Sequence, residues 1–136
     1  MRGAVVQAGP VHGYFQPEWQ RKALGTREYL FGLFEARSAI YGVKTLDDFL
    51  AYGPKMSLVD AKWITKPSAP MFLVNGARDT QVPISDLYVL LRSGNPKEAW
   101  VNPDGGHMGR TKGLDDQKIF ETVVLPWISR HLKEGS

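Results

Sequence analysis

The sequence has 136 residues, 43% hydrophobic and 23% charged, which is the balance of a soluble globular protein. A chain of this length can bury a core in one domain, and no apolar run approaches the roughly 20 residues of a membrane span. The net charge is +3, with basic residues scattered among acidic ones, which argues against nucleic-acid binding. The absence of cysteine excludes disulfides and a cysteine nucleophile. The start does not fit a signal peptide, so we expect a cytoplasmic protein.

The N-terminal half is predicted to contain one strand and then helices. Residues 3–9 form a short apolar stretch that Gly9-Pro10 stops, which is typical of a buried strand. Three short amphipathic helices are predicted to follow: Glu18 to Leu24 after Pro17, a helix capped by Thr26 that runs to about Tyr41, and Leu46 to Tyr52 after a Thr45 cap.

The C-terminal half alternates strands with helices. Residues 70–75 are predicted to form a strand, because Met71 to Val74 are a continuous apolar run, as expected where both faces are covered, and a helix over residues 85–92 follows it. A short strand over residues 98–102 precedes a last helix over residues 117–132, which Pro126 is expected to bend. This alternation predicts an α/β protein with a parallel sheet and helices on both faces.

Asp79 and His107 each follow the end of a predicted strand. The carboxyl ends of parallel strands share one edge of the sheet, so we expect the two side chains on the same edge. An imidazole that acts as a general base needs a carboxylate to hold its other ring nitrogen. Each residue alone also fits a simpler interpretation, Asp79 as a turn residue and His107 as a surface loop histidine.

Other candidate residues are interpreted separately. His12 follows the first strand and either lines the same pocket or has a loop role; with Asp79 and His107 it could form a metal site, although no short ligand spacing supports one. Asp86 lies at a helix start and is predicted to act as a cap on the helix dipole. Two further residues are predicted to lie in a loop and on a helix surface: Asp104 and His131.

The segment Pro70 to Pro83, with its strand, glycine turn and Asp79, resembles the acid segment of the α/β-hydrolases. Gly105-Gly106-His107 resembles their histidine loop, and the separation of 28 positions between acid and histidine also fits. The resemblance covers nearly the whole chain as a single α/β unit. It implies the last three parallel strands of that family's sheet with flanking helices, a helical cap insertion over residues 11–66, and an acid- and histidine-bearing segment over residues 67–136.

The long insertion is similar to that of the branch containing esterases and C–C hydrolases. The resemblance implies that His107 is the catalytic base, that Asp79 orients it, and that the substrate is a small ester or ketone. It implies no cofactor and no bound metal. The residues assigned to the substrate pocket are His12, Trp19 and Met108, and the aromatic residues of the cap either roof that pocket or pack its core.

One part of the family pattern is missing from this sequence. The nucleophile elbow has the form G-x-S-x-G, and none of the seven serines has those flanking glycines. The resemblance therefore implies that the serine lies before Gly3, outside this sequence. It also implies an open sheet edge, which self-association or a complementing N-terminal half would cover. The alternative is a non-catalytic fragment, a binding or assembly module that keeps the hydrolase scaffold.

Overall fold

The computed structural model describes residues 3–26, 32–95 and 97–133 of the chain. Strands β1 (Ala4–Gln7), β2 (Met71–Gly76) and β3 (Lys97–Asn102) form a parallel sheet in the order β1-β2-β3. Gln7 lies opposite Val74, and Gly76 lies opposite Asn102. The three strands therefore end at one edge, and the predicted α/β class is confirmed.

Both faces of β2 are buried, which explains its continuous apolar run. Successive side chains of a strand point to opposite faces, so Phe72 and Val74 join one core cluster and Leu73 joins the other. On the first face Trp127 of the last helix stacks on Phe72, with ring centroids 5.5 Å apart. On the second face helix α4 (Ile84–Leu91) contributes Leu87 and Leu90. The sheet is thus a middle layer with helices on both sides.

Residues 11–66 contain helices α1 (Pro17–Leu24), α2 (Leu33–Tyr41) and α3 (Leu46–Tyr52). Thr45 caps α3 as predicted, since its hydroxyl oxygen accepts the Asp48 N–H at 3.1 Å. The predicted start of the second helix at Thr26 is wrong. The Thr26 hydroxyl donates to the Ala23 carbonyl at the end of α1, and Gly32, with φ of 73°, is left-handed immediately before α2. The intervening residues 27–31 lie outside the described ranges.

The last helical region begins one residue before the predicted start and is not a single bent α-helix. It consists of α5 (Asp116–Ile119), a π-helical segment (Phe120–Val124) and α6 (Leu125–Lys133). Pro126 has no N–H to donate to the carbonyl four residues before it, and its ring crowds that carbonyl. The wider π turn directly before Pro126 accommodates both effects without a break in the helix.

Candidate functional site

Asp79 lies in the turn after β2, and its side chain is 0% exposed. Oδ1 accepts the backbone N–H groups of Gln81 at 2.8 Å and Val82 at 3.0 Å. Oδ2 accepts the Asn75 side-chain amide at 2.9 Å and lies 3.1 Å from Nδ1 of His107. Both carboxylate oxygens are therefore held, and one of them faces the histidine.

The surroundings of Asp79 favour its charged form. Burial alone raises the pKa of this carboxyl, but hydrogen bonds from His107, the Val82 N–H and Asn75 outweigh burial and hold the pKa below its ordinary value. An ionised carboxylate can only accept hydrogen bonds, so Nδ1 of His107 is the donor. In the neutral imidazole the lone pair is then on Nε2, as a general base requires.

The loop that carries His107 packs tightly on the end of β2. The Arg78 N–H donates to the Gly105 carbonyl at 2.9 Å, and the Gly106 N–H donates to the Arg110 carbonyl at 2.9 Å. A Cβ atom on Gly76 would lie 2.1 Å from the Gly105 carbonyl oxygen. Glycine is thus required at position 76 because the backbone of the histidine loop passes against it.

Three carboxamide side chains, one near the carboxyl end of each strand, hold the backbone after His107. Gln7 donates to the Met108 carbonyl at 3.1 Å, and Asn75 accepts the Met108 N–H at 3.0 Å. Asn102 donates to the Gly109 carbonyl at 2.8 Å. The sequence interpretation missed all three residues. The available signal was a carboxamide side chain near the end of each predicted strand.

The residues predicted to line a pocket have different surroundings. The Trp19 indole N–H donates to the Gln81 carbonyl at 2.7 Å, which docks α1 on the Asp79 turn. Met108 follows His107 directly and is half-buried. His12 belongs to another network, where its Nδ1 lies 2.8 Å from the Ser57 hydroxyl and 3.7 Å from a carboxylate oxygen of Asp60.

Asp86 does not serve the start of α4 as predicted. Its carboxylate is 1% exposed and turns away to the loop after β1. Oδ2 accepts the N–H groups of Val11 at 2.8 Å, His12 at 3.0 Å and Tyr14 at 3.2 Å, and Oδ1 accepts that of Gly13 at 2.6 Å. Asp86 therefore holds residues 11–14 against the beginning of α4.

Asp104 and His131 were predicted to lie in a loop and on a helix surface, respectively. Asp104 is an exposed loop residue, as expected, and pairs with Arg78 at 2.7 Å. His131 lies on the last helix, where its side chain is 21% exposed. Its ring stacks on Trp127 with centroids 3.9 Å apart, and Nε2 lies 3.9 Å from a carboxylate oxygen of Glu98, near the beginning of β3.

Residues 3–26, 32–95 and 97–133 contain no group of three or more histidines or carboxylates arranged to hold a metal ion. The geometry therefore does not support a metal set made of His12, Asp79 and His107. None of the helices described in those ranges has the length and apolar character needed to cross a membrane.

The described fold is an α/β sheet with an oriented histidine–carboxylate pair at its carboxyl edge. No protein-family model matches this sequence, and no curated protein matches it. Among solved structures, the chain is similar to an esterase of Pyrococcus furiosus, with a TM-score of 0.45 and 19% sequence identity. The match covers 98% of this chain and 44% of the esterase chain, so this chain spans less than half of that protein.

Proposed function

We propose that this chain supplies the acid and the base of a serine-type α/β-hydrolase that cleaves an ester, or a C–C bond next to a carbonyl. The observation that carries the proposal is the 3.1 Å contact between Nδ1 of His107 and the buried carboxylate of Asp79. The proposal is supported by the chemistry of that contact, since the charged acceptor orients the ring and would stabilise an imidazolium.

His107 and Asp79 have different roles in the proposed reaction. Nε2 of His107 takes the proton of the serine hydroxyl as it attacks the carbonyl, and later returns the proton to the leaving group. Asp79 remains ionised and keeps the ring in the required tautomer. General-base catalysis of this kind contributes about 10²- to 10⁴-fold to a rate. The seven serines here lack an elbow sequence, so we assign the nucleophile to a segment outside this sequence.

Residues 11–66 would form the cap over this edge, with an apolar pocket for the acyl or ketone part of the substrate. Two contacts support this assignment. The Trp19 indole bonds the Asp79 turn, and the Asp86 carboxylate fixes the loop that enters the inserted segment. Trp19 and Met108 are the side chains we place at the pocket. His12 is the third residue that we assign to this pocket, and the contact between its Nδ1 and the Ser57 hydroxyl orients its ring.

A second candidate function is assembly without catalysis, and one observation favours it. In the described sheet β1 has a neighbour on one side only. Beside its other edge lies a groove of about 370 Å³. The groove is lined by Gly3, Ala4, Val5, Trp127, Ile128, His131 and Leu132. An added strand from a second copy or from a complementing N-terminal half would cover this edge. A monodisperse monomer that unfolds cooperatively would argue against it.

A fluorophosphonate probe separates the two candidates, because it labels an activated serine covalently. We would compare the 136-residue chain with the full-length product of the gene that encodes it, and assay both on p-nitrophenyl esters. Labelling and turnover by the full-length product alone are expected for the hydrolase proposal. If neither protein is labelled or turns over ester, the assembly function is favoured and the hydrolase proposal fails.

A further inference from the structure

Asn75 differs from the other two carboxamides at the strand ends because it contacts both halves of the histidine–carboxylate pair. It is 2% exposed and lies one residue before the end of β2. Its amide nitrogen donates to Oδ2 of Asp79 at 2.9 Å, the same oxygen that faces His107. Its carbonyl oxygen accepts the N–H of Met108 at 3.0 Å.

The second contact fixes an unfavourable backbone conformation next to the histidine. Met108 has φ of 64°, in the left-handed region, which costs a residue with a side chain roughly 1 kcal/mol or more. Such a conformation persists only when its surroundings hold it. Asn75 holds the Met108 N–H, and Gln7 holds its carbonyl. The direction in which the chain leaves His107 is therefore set partly from β2.

Few side chains other than a carboxamide could make both contacts. The amide offers a donor and an acceptor on one small neutral group. An ionised aspartate at position 75 could accept the Met108 N–H, but it could not donate to Asp79 and would repel that carboxylate. A leucine of similar size could do neither. Aspartate therefore breaks the Asp79 contact alone, and leucine breaks both contacts.

We propose that Asn75 is a positioning residue that couples the acid to the base, by holding Oδ2 of Asp79 and the backbone of Met108 with the two ends of one amide. The significance for catalysis rests on the proposed function of His107 and Asp79. The coupling itself is a property of this chain and can be measured without any substrate. Failure of the coupling and failure of the hydrolase proposal are therefore separate outcomes.

The experiment is an NMR titration of the 136-residue chain, following the Asp79 carboxyl carbon and the His107 ring nitrogens. In Asn75→Asp the two carboxyl groups at positions 75 and 79 should titrate as a pair, with an upper midpoint about 1 pH unit or more above that of wild-type Asp79, since adjacent carboxylates compete for a proton. The Met108 N–H signal of this variant should stay near its wild-type position. Asn75→Leu should also raise the Asp79 midpoint and, in addition, shift the Met108 N–H and increase the Nε2–H tautomer of His107.

Gln7→Leu is the matched control, because it removes a strand-end carboxamide whose amide donates to the Met108 carbonyl rather than to Asp79. It should leave the Asp79 midpoint unchanged. Asn75→Asp is nearly isosteric and keeps the test available if the leucine variant does not fold. A titration midpoint equal to that of wild-type Asp79 in both Asn75 variants would overturn the proposal. So would equal changes in the Asn75 variants and Gln7→Leu, since these would mean a general loosening of the loop.

Discussion

Two histidine–carboxylate pairs lie at opposite ends of the sheet, and they differ mainly in how deeply the carboxylate is buried and how close it lies to the ring. Asp79 is completely buried beside His107, with its Oδ2 3.1 Å from the ring nitrogen. Glu98 is 52% exposed, and its nearest oxygen is 3.9 Å from His131. The Glu98 oxygens are instead 2.9 Å from the Trp127 indole nitrogen and 2.7 Å from Arg130.

The comparison shows that proximity alone does not orient a histidine. Around His107 the acceptor is fixed by Asn75 and two backbone N–H groups, and water is excluded from it. Around His131 the ring is positioned by stacking on Trp127 and by a 3.2 Å contact between Nδ1 and the Trp127 carbonyl, and the carboxylate is about half exposed. An exposed ion pair contributes only about 0–1 kcal/mol to the stability of a protein. Removing a buried charge that several donors bond costs more, because those donors are left buried without an acceptor.

The largest expected difference between the two ends of the sheet is in stability. Asp79→Ala should lower the free energy of unfolding by about 3 kcal/mol or more, because it leaves the Asn75 amide and two backbone N–H groups buried without an acceptor. Glu98→Ala should lower it by less than about 2 kcal/mol, because its ion pairs are exposed and it leaves only the Trp127 indole N–H without an acceptor. Urea unfolding measures both values, and losses of equal size would contradict the distinction.

Gly76→Ala tests whether the histidine loop depends on its close approach to β2. The new Cβ would meet the Gly105 carbonyl, so we expect a loss of about 2–3 kcal/mol and a displaced loop. Gly113→Ala is the matched control, because its Cβ would meet nothing within 4 Å. Thermal unfolding measures both substitutions. If Gly76→Ala had no greater effect than the control, the tight packing of this loop would be disproved.

The lowered pKa of Asp79 predicts sensitivity to acid. Its folded-state pKa lies below the unfolded value of about 3.9, so its contribution is fully present above that pH and is lost as pH falls through the folded-state pKa. Asp79→Asn removes the titrating group. Its stability should therefore fall less than that of the wild type below about pH 4. Parallel stability curves for the two proteins in chemical denaturation would contradict this origin of the acid sensitivity.

The smallest predicted effect concerns the contact between α1 and the Asp79 turn. Trp19→Phe keeps an aromatic ring and removes the indole N–H that bonds the Gln81 carbonyl. We expect a loss of about 1 kcal/mol, the typical value of one hydrogen bond. Lys22→Ala, which removes a neighbouring cation over the same ring, should cost less than about 0.5 kcal/mol. The reverse order would show that the docking of α1 does not depend on this bond.

The sequence was sufficient to predict the three parallel strands and their order of appearance. Short apolar runs bounded by glycine and proline are a local signal of buried strands. The prediction of β2 was correct because both of its faces are buried, which makes its apolar run continuous. The juxtaposition of Asp79 and His107 was also predictable, since it follows from the parallel topology. The structure brings these two side chains together, and their catalytic role stays a prediction.

Other features depend on contacts between distant parts of the chain. The partners of Asp86 are more than 70 positions away, and nothing near it in sequence distinguishes its role from that of a helix cap. The role of Asn75 likewise requires the histidine loop to lie against β2. The π-helical segment was missed for a different reason, because Pro126 predicts a disturbance of the helix but not which form it takes.

The central claim is that His107 is an oriented base and that His131 is a packing residue. The most direct test is ester hydrolysis by the full-length gene product with His107→Ala and, as the matched control, His131→Ala. We predict that His107→Ala lowers kcat at least about 100-fold and keeps the fold, while His131→Ala stays within about threefold of wild type. An unchanged kcat in His107→Ala, or equal losses in the two variants, would contradict the claim.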